Sequence, residues 1–440
     1  MIITPLETLI CKTIGRAIDQ DTAPLARSVI EHYQGDRLRR LIDFCREHSP
    51  FYRQKFADAG IGRITGIEDL TGLPLTSETE LRNHGSAMVC VSQDAVARII
   101  TIHSSGTTGM PKRLFFTDED LERTLDFFHQ GMQSLVSPGQ RVAILLPGAT
   151  PDSTGHLLAQ ALERMRVSSD ILGLVDDPAQ AARRLSESRP DVLVGFPVQI
   201  LAIARMAAAM ALPLGTIRSV LLCSDYIPES LCTRLRELLA CEIFTHYGTV
   251  ETGLGGGVDC GAHRGAHLRE ADLLFEIIDP YTTQPLADGT WGEIVFTTLT
   301  RTGMPLVRYR TGDLGCLLPG TCPCGSHIRR LDKVLGRINQ IRTLQNGEQL
   351  ALSTLDEMLF PVPGLLDFGA VLTMEKHHDK LLIHLVVIPG NEGAVLRQVA
   401  ERLANMQPKQ ELEFGITINS TAKIFQGKRI LEDRREENRP

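Results

Sequence analysis

A run of small hydroxyl and glycine residues is the first part of this sequence whose residue types suggest chemistry. All six residues from Ser104 to Gly109 are serine, threonine or glycine, and Lys112 follows them in HSSGTTGMPK. Glycines let the backbone approach a ligand, while hydroxyls, backbone N–H groups and a lysine supply donors and positive charge. This combination suits a polyanion such as the phosphates of a nucleotide. The alternative is a flexible polar linker; a Walker-type P-loop is excluded because no Gly-Lys-Ser/Thr follows at the required spacing.

Cysteines and histidines form a second group that could do chemistry. The stretch TCPC contains two thiols, and CGAHRGAH offers a cysteine and two histidines. Three cysteines and one histidine suit a tetrahedral Zn²⁺ that has no open position, so the site would be structural. We predict these four ligands: Cys260, His267, Cys322 and Cys324. The spare candidates are His263, Cys316 and His327. The alternative is a set of ordinary buried thiols.

The elements that position these residues alternate between strands and helices. An apolar run at 96–102 predicts a strand directly before the hydroxyl and glycine run, and Thr117 with Asp120 predicts a capping box at the start of a helix over 118–135. Further strands are predicted at 141–147, 191–197 and 217–225, each followed by an amphipathic helix, at 153–165, 198–212 and 228–240. Continuous apolar strands with such helices predict a parallel sheet that is covered on both faces.

The sequence changes character twice, which predicts an α/β protein of two domains. A large N-terminal domain, residues 1–336, has mostly parallel sheets and helices. It includes a helical lead-in at 1–90 and a β-rich, zinc-bearing part at about 258–335, in which a hairpin follows residue 272. A small, mobile α+β C-terminal domain, residues 337–440, follows the boundary at GRINQ. Its predicted elements are helices near 353–360 and 394–405 and strands near 368–373 and 381–388.

Composition excludes several classes of protein. The chain has 440 residues and a formal net charge of -7, which argues against a general nucleic-acid binder. No apolar run approaches the length of a membrane span, and the first residues lack the pattern of a secretory signal, so a cytoplasmic location is expected. Ten cysteines in a chain of this length do not suggest a disulfide scaffold.

Five motifs, in order, resemble those of the adenylate-forming superfamily, which includes acyl-CoA synthetases, luciferases and the adenylation domains of peptide synthetases. They are SSGTTGMPK, HYGTVE at 246–251, RYRTGD at 308–313, GRINQIRTLQNGEQL and GKRILEDRR. Within the superfamily the chain resembles the phenylacetate-CoA ligase group. The stretches that carry this closer resemblance are LRRLIDFCREHSPFYRQKFADAGI, LTGLPLTSETELRNHG and MPLVRYRTGDL.

The resemblance implies an AMP-forming acyl- or aryl-CoA ligase. Such an enzyme adenylates a small carboxylic acid, which could be aromatic, with ATP and Mg²⁺, and then transfers the acyl group to coenzyme A. The alternative within the superfamily delivers the acyl group to an amine or a carrier-protein thiol. A non-catalytic nucleotide-binding protein is disfavoured because Lys112, Glu251, Asp313 and Lys428 are all present. No nucleic-acid or membrane partner is expected, and the oligomeric state stays open, with a homodimer as one option.

The resemblance also assigns roles to residues that bind the nucleotide. The phosphate loop comprises Ser104, Ser105, Gly106, Thr107, Thr108 and Gly109, with Lys112 on the β- and γ-phosphates. Glu251 would hold Mg²⁺, whose preference for carboxylate and phosphate oxygens fits, and Asp313 would accept hydrogen bonds from the ribose hydroxyls. The remaining nucleotide-binding residues are Asp225 of CSDYIP, Tyr247 on the adenine, Gly248, Thr249 and Arg337.

Two further assignments concern the mobile domain and the acyl pocket. Lys428 would neutralise the carboxylate and phosphate during adenylation, and the hinge pair would be Asn339 and Gln340, where the family usually has two acidic residues or an Asp-Lys pair. Val250 replaces the usual Ser or Thr of its motif. The stretches PGATPDSTGHLLAQAL and ETGLGGGVD are expected to line the acyl pocket. The glycines of the second either leave room for a bulky or flat group or form a tight turn.

Overall fold

A computed structural model describes residues 4–16, 23–102, 110–376, 378–406, 412–419, 421 and 423–435. The predicted phosphate loop, Ser104–Gly109, lies outside the described residues. The chain forms two compact units, one of residues 1–134 with 246–334 and the other of 135–245 with 335–440. The last change between units, at 334–335, falls close to the predicted boundary; the division into domains at 336 stays a prediction. Within the described ranges no helix is both long enough and apolar enough to cross a bilayer.

The first unit contains five α-helices among its described residues. They are α1 (Glu7–Thr13), α2 (Arg27–His48), α3 (Pro50–Asp58), α4 (Glu78–Met88) and α5 (Asp118–Met132). Shorter 3-10 turns span Ile67–Gly72 and Gln93–Ala95. The predicted capping box of α5 is confirmed: Asp120 N donates to Thr117 Oγ1 at 3.2 Å, and Thr117 N donates to Asp120 Oδ2 at 3.1 Å. This reciprocal pair satisfies backbone donors that a helix start leaves open.

The strands of the first unit are mostly antiparallel. They are β1 (Arg98–Ile102), β2 (Lys112–Phe116), β8 (Gly257–Val258), β9 (Ala266–Leu268), β10 (Leu273–Ile278), β11 (Gly292–Thr298), β12 (Tyr309–Gly315), β13 (Leu317–Leu318) and β14 (Arg330–Leu331). The predicted hairpin is confirmed as β10–β11, and β12 pairs with the other edge of β11. Ile102 pairs with Lys112 across β1 and β2, so Lys112 stands where the phosphate loop rejoins the sheet.

The second unit begins with the predicted parallel sheet, which is confirmed. Its strands are β3 (Arg141–Leu145), β4 (Ser168–Ile171), β5 (Val192–Gly195), β6 (Ser219–Leu222) and β7 (Glu242–Tyr247), in the order β4-β3-β5-β6-β7. The helices are α6 (Thr154–Glu163), α7 (Pro178–Ser188), α8 (Pro197–Ala209) and α9 (Glu229–Leu239). Strand β7 ends in His246 and Tyr247, which belong to the first unit and pair with β8.

The C-terminal part of the second unit has an α+β fold, as predicted. Its elements are β15 (Gly336–Arg337), a 3-10 turn (Ile338–Gln340), β16 (Arg342–Thr343), β17 (Gln349–Leu350), α10 (Leu352–Leu359), β18 (Leu365–Glu375), β19 (His378–Val387), α11 (Glu392–Ala404), β20 (Leu412–Ile418) and β21 (Leu431–Asp433). The sheet order is β20-β19-β18-β21. Strand β21 was not predicted, because its short apolar stretch lies within a highly charged tail.

This C-terminal part shares one apolar core with the parallel sheet. Buried side chains of α8, such as Ile200 and Leu201, belong to the same cluster as Leu359 and Leu365. The buried guanidinium of Arg205 donates to the carbonyls of Phe360 and Leu365. Residues 335–440 therefore pack against 135–245 through both apolar and polar contacts.

Candidate active site

Lys112 and Glu251, which come from two of the quoted motifs, form a buried ion pair in the first unit. Lys112 Nζ and Glu251 Oε1 are 2.6 Å apart, and the two residues are only 5% and 4% exposed. Lys112 begins β2, and Glu251 follows the end of β7, so two turns that lie far apart in the sequence bring them together. The hydroxyl of Tyr309 donates to the same Glu251 oxygen at 3.4 Å. At this separation and burial the two opposite charges attract each other more strongly than they would in water.

Glu78 is a second carboxylate near Lys112. Its Oε1 lies 3.1 Å from Lys112 Nζ and 2.6 Å from Arg82 Nη2. Partial burial alone would raise the pKa of Glu78, but the charges and hydrogen bonds of Lys112 and Arg82 lower it. Lys112 therefore has two anionic partners in this structure, one in α4 and one beyond β7.

The backbone of Glu251 is also held. Arg301 Nη1 donates to the Glu251 carbonyl at 2.8 Å, and the Arg301 guanidinium lies 5.0 Å from the centre of the Phe116 ring. Burial lowers the pKa of Arg301 to about 10. Thr249 and Thr252 exchange hydrogen bonds across the turn that contains Glu251, at 3.0 and 3.3 Å. The turn that carries Glu251 is thus fixed from both sides.

Tyr247 and Asp313 form a second pair in the same unit. The Tyr247 hydroxyl donates to Asp313 Oδ2 at 3.1 Å, and the Tyr247 ring meets Phe275 edge-on with 6.4 Å between ring centres. Asp313 is 6% exposed, and its backbone N–H donates to Thr311 Oγ1 at 3.0 Å. The pair connects two of the quoted motifs, HYGTVE and RYRTGD. Gly248 continues directly from Tyr247.

In the second unit, the segment around Lys428 is anchored by its neighbour. Lys428 is exposed, whereas Arg429 is buried and pairs with Asp356 at 2.5 Å and Asp367 at 3.1 Å. The guanidinium also lies 4.3 Å from the centre of the Phe368 ring. Because the two residues share a planar peptide bond, the anchored Arg429 restricts where the backbone of Lys428 can lie.

Asp225 completes this group of acidic residues. Its Oδ2 accepts from the Arg429 backbone N–H at 3.3 Å. Loss of solvent raises the pKa of Asp225, while the positive charges of Arg429 and Lys428 oppose that rise. The pKa of Asp356 is raised to about 7 by burial, against the favourable charge of Arg429. Three carboxylates therefore contact Arg429: Asp356 and Asp367 pair with its guanidinium, and Asp225 accepts from its backbone N–H.

The four predicted metal ligands lie together in the first unit. The donor atoms of Cys260, His267, Cys322 and Cys324 are all within 4.8 Å of one another. The separation between Cys260 Sγ and Cys322 Sγ is 3.9 Å, and that between Cys324 Sγ and His267 Nε2 is 3.4 Å. Tetrahedral Zn²⁺ with ordinary bond lengths needs separations of about 3.8 Å and about 3.6 Å. The donor set and its spacing fit zinc.

The spare metal candidates make other contacts. His263 Nδ1 lies 3.1 Å from Asp259 Oδ2, and His327 Nδ1 lies 3.3 Å from Thr321 Oγ1. Cys316 Sγ donates to the Leu317 carbonyl.

Within the four-ligand cluster, hydrogen bonds from Cys260 and His267 lower the pKa of Cys324 to about 3, against the effect of burial. The same Cys324 thiolate raises the pKa of Cys260.

Comparison with known proteins identifies the family. The AMP-binding enzyme family matches residues 55–300. The chain belongs to this family. Phenylacetate-coenzyme A ligase from Thermus thermophilus is 30% identical over 353 residues, 77% of this chain and 77% of that protein. The same-named protein from Escherichia coli is 28% identical over 343 residues, 74% of this chain and 75% of that protein. The predicted place in the adenylate-forming superfamily, in the phenylacetate-CoA ligase-like group, is confirmed.

Solved structures support the fold. A crystal structure of 2-hydroxyisobutyryl-CoA ligase in the postadenylation state has a TM-score of 0.79, 20% identity and 95% coverage of both chains. The predicted α/β fold is therefore confirmed, since this level of identity bears on architecture alone.

The remaining predicted residues of this AMP-binding enzyme follow the last change between units. Arg337 ends β15, and Asn339 and Gln340 lie in the 3-10 turn that comes next. Asn339 is exposed, and its carbonyl accepts from Arg342 Nη1 at 2.6 Å. A short exposed turn at this place is compatible with a hinge, whose use stays a prediction.

The glycines of ETGLGGGVD are required by packing rather than leaving space. A Cβ at Gly255 would lie 2.2 Å from Cε1 of Phe127, and Gly253 has a φ of +77°. The first glycine therefore makes room for a phenylalanine of α5, and the second permits a left-handed turn. The interpretation as a tight turn describes these two positions.

Sequence reasoning missed four contact residues of the site. Tyr309 lies inside the RYRTGD motif and could have been found there, as its neighbour Asp313 was. Glu78 lies in the quoted stretch LTGLPLTSETELRNHG, where no role was assigned to it, and Arg301 lies outside the motifs. Only the fold brings them to Lys112 and Glu251. Arg429 follows Lys428 directly, but a charged tail hides which of its arginines is buried.

Proposed function

We propose that this protein joins a small aromatic carboxylic acid to coenzyme A. Its activity is that of an ATP-dependent, AMP-forming acyl-CoA ligase. The acid and ATP first give an acyl-adenylate and pyrophosphate, and coenzyme A then displaces AMP to give the thioester. The relatives named phenylacetate-coenzyme A ligase support an aromatic acid. A cytoplasmic location, where ATP and coenzyme A are available, is part of the proposal.

The observation that carries the adenylation step is the buried Lys112–Glu251 pair beside the Tyr247–Asp313 pair. Adenylation brings together an anionic carboxylate and an anionic triphosphate, so the protein must neutralise charge and hold the reactants in line. In the proposal, Lys112 leaves Glu251 for the β- and γ-phosphates, which the loop Ser104–Gly109 also holds. A carboxylate oxygen then attacks the α-phosphorus, and the bond to pyrophosphate breaks.

Glu251 becomes available to a metal when Lys112 moves to the phosphates. A carboxylate together with phosphate oxygens is the ligand set that Mg²⁺ prefers, and Glu251 is the residue we assign to it. Bound Mg²⁺ supplies charge neutralisation at the phosphate oxygens. Tyr309 keeps one oxygen of Glu251 oriented through its hydrogen bond, and Arg301 holds the backbone.

The nucleoside is assigned to the residues that the family resemblance names. Asp313 accepts hydrogen bonds from the ribose hydroxyls. In this structure it already accepts one from a hydroxyl group, that of Tyr247. Tyr247 stacks on the adenine, with Gly248 and Thr249 beside it. Asp225 contributes from the turn after β6, and Arg337 adds a ribose or phosphate contact.

Lys428 and the hinge account for the second half-reaction. Lys428 neutralises the carboxylate and the phosphate while the adenylate forms. The C-terminal domain then turns about Asn339 and Gln340, the coenzyme A thiol attacks the acyl carbon, and AMP leaves. The exposed side chain of Lys428 beside the anchored Arg429 suits a group that must enter and leave as one piece with its domain.

Zinc is assigned a structural role. Cys260, His267, Cys322 and Cys324 would take all four positions of a tetrahedral ion, which leaves none for substrate. A bound ion would crosslink two segments of the chain. Cys260 and His267 lie before and in β9, and Cys322 and Cys324 lie in the loop between β13 and β14.

The test is a screen of acids by ATP–pyrophosphate exchange, followed by thioester formation with coenzyme A. Benzoate, phenylacetate, heteroaromatic acids and short aliphatic acids form the panel. We expect exchange with an aromatic acid, and AMP and acyl-CoA when coenzyme A is added. Exchange with aliphatic acids alone would contradict the aromatic assignment. Exchange without thioester formation, but with transfer to an amine or a carrier-protein thiol, would favour the alternative acceptor.

A further inference from the structure

His246 is a buried titratable residue that none of the steps above uses. It lies in β7 immediately before Tyr247, and both of its ring nitrogens are buried although part of the residue is accessible. Neither nitrogen has a hydrogen-bond partner within the described part of the chain. Buried side-chain nitrogens almost always have one, because an unpaired polar group away from water is destabilising.

The surroundings of the imidazole explain why the described residues supply no partner. The ring centre lies 6.0 Å from that of Phe127, and its Cε1 would be 2.7 Å from a Cβ at Gly248. One neighbour is therefore an aromatic ring, and the other is backbone that only a glycine allows so close. Burial lowers the pKa of His246 to about 4, so the ring is neutral at physiological pH.

A neutral imidazole has one N–H donor and one nitrogen acceptor. A carboxylate or phosphate can accept from its N–H but leaves its acceptor nitrogen without a partner. The imidazole is suited to a neutral group that both donates and accepts, such as a hydroxyl, or to an amine or amide. A ligand with such a group would satisfy the nitrogens that the protein leaves without a partner.

The position of His246 indicates which ligand this is. Its neighbour Tyr247 contacts Asp313, to which the ribose is assigned, and its ring faces Phe127, which fills the space at Gly255. The acyl group must lie within bonding distance of the α-phosphate and so close to these residues. We propose that His246 is a specificity-determining residue that hydrogen-bonds a neutral polar substituent of the acyl group. The preferred acid therefore carries a hydroxyl or amino group; this inference rests on the proposed ligase activity.

The size of the expected preference follows from the unpaired nitrogens. A site built to hydrogen-bond a substrate group rejects the analogue that lacks it, because its own polar atoms then stay buried and unpaired. We expect a hydroxylated or amino-substituted acid to exceed its unsubstituted parent by at least roughly tenfold in kcat/KM.

The experiment compares matched acids by ATP–pyrophosphate exchange. The pairs are phenylacetate with its ring-hydroxylated and ring-aminated forms, benzoate with the hydroxy- and aminobenzoates, and butanoate with 3-hydroxybutanoate. Wild type, His246→Leu and His246→Gln are measured, with His84→Leu as a control for loss of an exposed histidine. Thermal denaturation of each variant checks its folding.

The expected result is a preference for a polar acid in wild type and in His84→Leu. In His246→Leu this preference falls to about one or reverses, through loss of activity with the polar acid, while the parent acid still supports exchange. His246→Gln, whose amide places donor and acceptor differently, changes the rank order of substituent positions.

Three results would overturn the inference. In the first, wild type is active with the parent acids but prefers no polar acid over its parent by tenfold in kcat/KM. The second is an unchanged preference in the folded His246→Leu variant or, if that variant does not fold, an unchanged ratio and rank order in His246→Gln. The third is equal loss with every acid in a folded variant, which would indicate a role in the chemical step. Absence of exchange with all acids in wild type would instead remove the ligase proposal, and this inference with it.

Discussion

Arg429 and Asp356 form a buried ion pair whose Nη1 and Oδ1 atoms lie 2.5 Å apart, immediately beside the exposed Lys428. The pair joins the segment before β21 to α10. Asp367 and Asp225 also contact Arg429, so the local charge is negative. An excess of buried carboxylates over cations makes this cluster sensitive to pH.

We predict that Asp356 makes the protein less stable as pH rises. Its pKa in the folded protein is raised by burial to about 7, above the 3.8 of a free aspartate. A folded state that binds a proton more tightly than the unfolded state is stabilised at low pH, and that stability is lost as pH rises through about 7. Thermal denaturation between pH 5 and pH 8.5 should show the melting temperature falling across this range.

Asp356→Asn should remove most of this dependence, because asparagine still accepts from Arg429 but carries no charge at any pH. The variant should melt above wild type at pH 8 and close to it at pH 5. Asp176→Asn is the control, since Lys423 lowers the pKa of that surface carboxylate. Parallel pH profiles for wild type and Asp356→Asn would contradict the prediction.

Glu251→Gln should impair catalysis far more than folding. The amide has a similar shape, and Lys112 keeps Glu78 as a partner at 3.1 Å, so no buried cation is left unpaired. Loss of a charged ligand should lower kcat/KM for Mg-ATP on the order of a hundredfold. Steady-state kinetics over a range of magnesium concentrations measure this.

The matched control is Glu270→Gln, another buried carboxylate, which pairs with Arg27 at 2.7 Å and lies outside the nucleotide motifs. It should lower the free energy of unfolding and leave the magnesium dependence unchanged. Full activity of Glu251→Gln at ordinary magnesium concentrations would mean that another residue holds the metal.

Sequence reasoning predicted this fold well where one local signal determined an element. The capping box at Thr117 marked the start of α5, and continuous apolar runs marked the parallel strands. It placed the C-terminal part in a separate domain, but could not show that α8 packs against it, because helix–sheet contacts depend on tertiary structure. Strand β21 was missed since a short strand at a sheet edge needs only Leu431 to be apolar and buried.

The candidate site divides in the same way. Residues inside motifs, such as Lys112, Glu251 and Asp313, could be named from sequence because those motifs resemble the superfamily's in residue type and order. The partners Glu78 and Arg301 could not, since an isolated glutamate or arginine is most often a solvated surface residue. His246 stood in a quoted motif, yet only the structure shows that its nitrogens have no hydrogen-bond partner among the described residues.

Metal analysis of the purified protein should find about one zinc per chain. Removal by a chelator should lower the melting temperature more than it changes the turnover of folded protein, because a closed site has no position for substrate. Cys322→Ala should lose the metal and the stability together. Cys316→Ala, a buried thiol outside the cluster, should keep both. Protein that is free of zinc and fully stable would refute the site.

Lys428→Ala should abolish adenylation and spare thioester formation from a supplied acyl-adenylate. A neutralising group matters most when two anions meet, and the second half-reaction has no such encounter. Because Lys428 is exposed and Arg429 holds the segment, the variant should melt like wild type. ATP–pyrophosphate exchange and single-turnover thioester formation separate the two steps. Equal loss in both would count against this role.

Gln340→Pro should slow acyl-CoA formation much more than acyl-adenylate formation. Two chemistries share one site, and a displacement of about 1 Å can cost on the order of a hundredfold, so each needs its own domain position. Gln340 ends the 3-10 turn that follows the last change between the two units, which suits a residue that absorbs a backbone change. Proline fixes φ and removes the N–H there.

Gln340→Ala, which keeps φ free, is the matched control and should retain both half-reactions. Rapid-quench measurements of acyl-adenylate and acyl-CoA from the same mixture give both rates. A Gln340→Pro variant that melts normally and slows the two steps alike, or slows neither, would place the hinge elsewhere. The buried contacts of Arg205 with the Phe360 and Leu365 carbonyls make the outcome informative. They must break if residues 337–440 turn alone, and they persist if the second unit moves as one body.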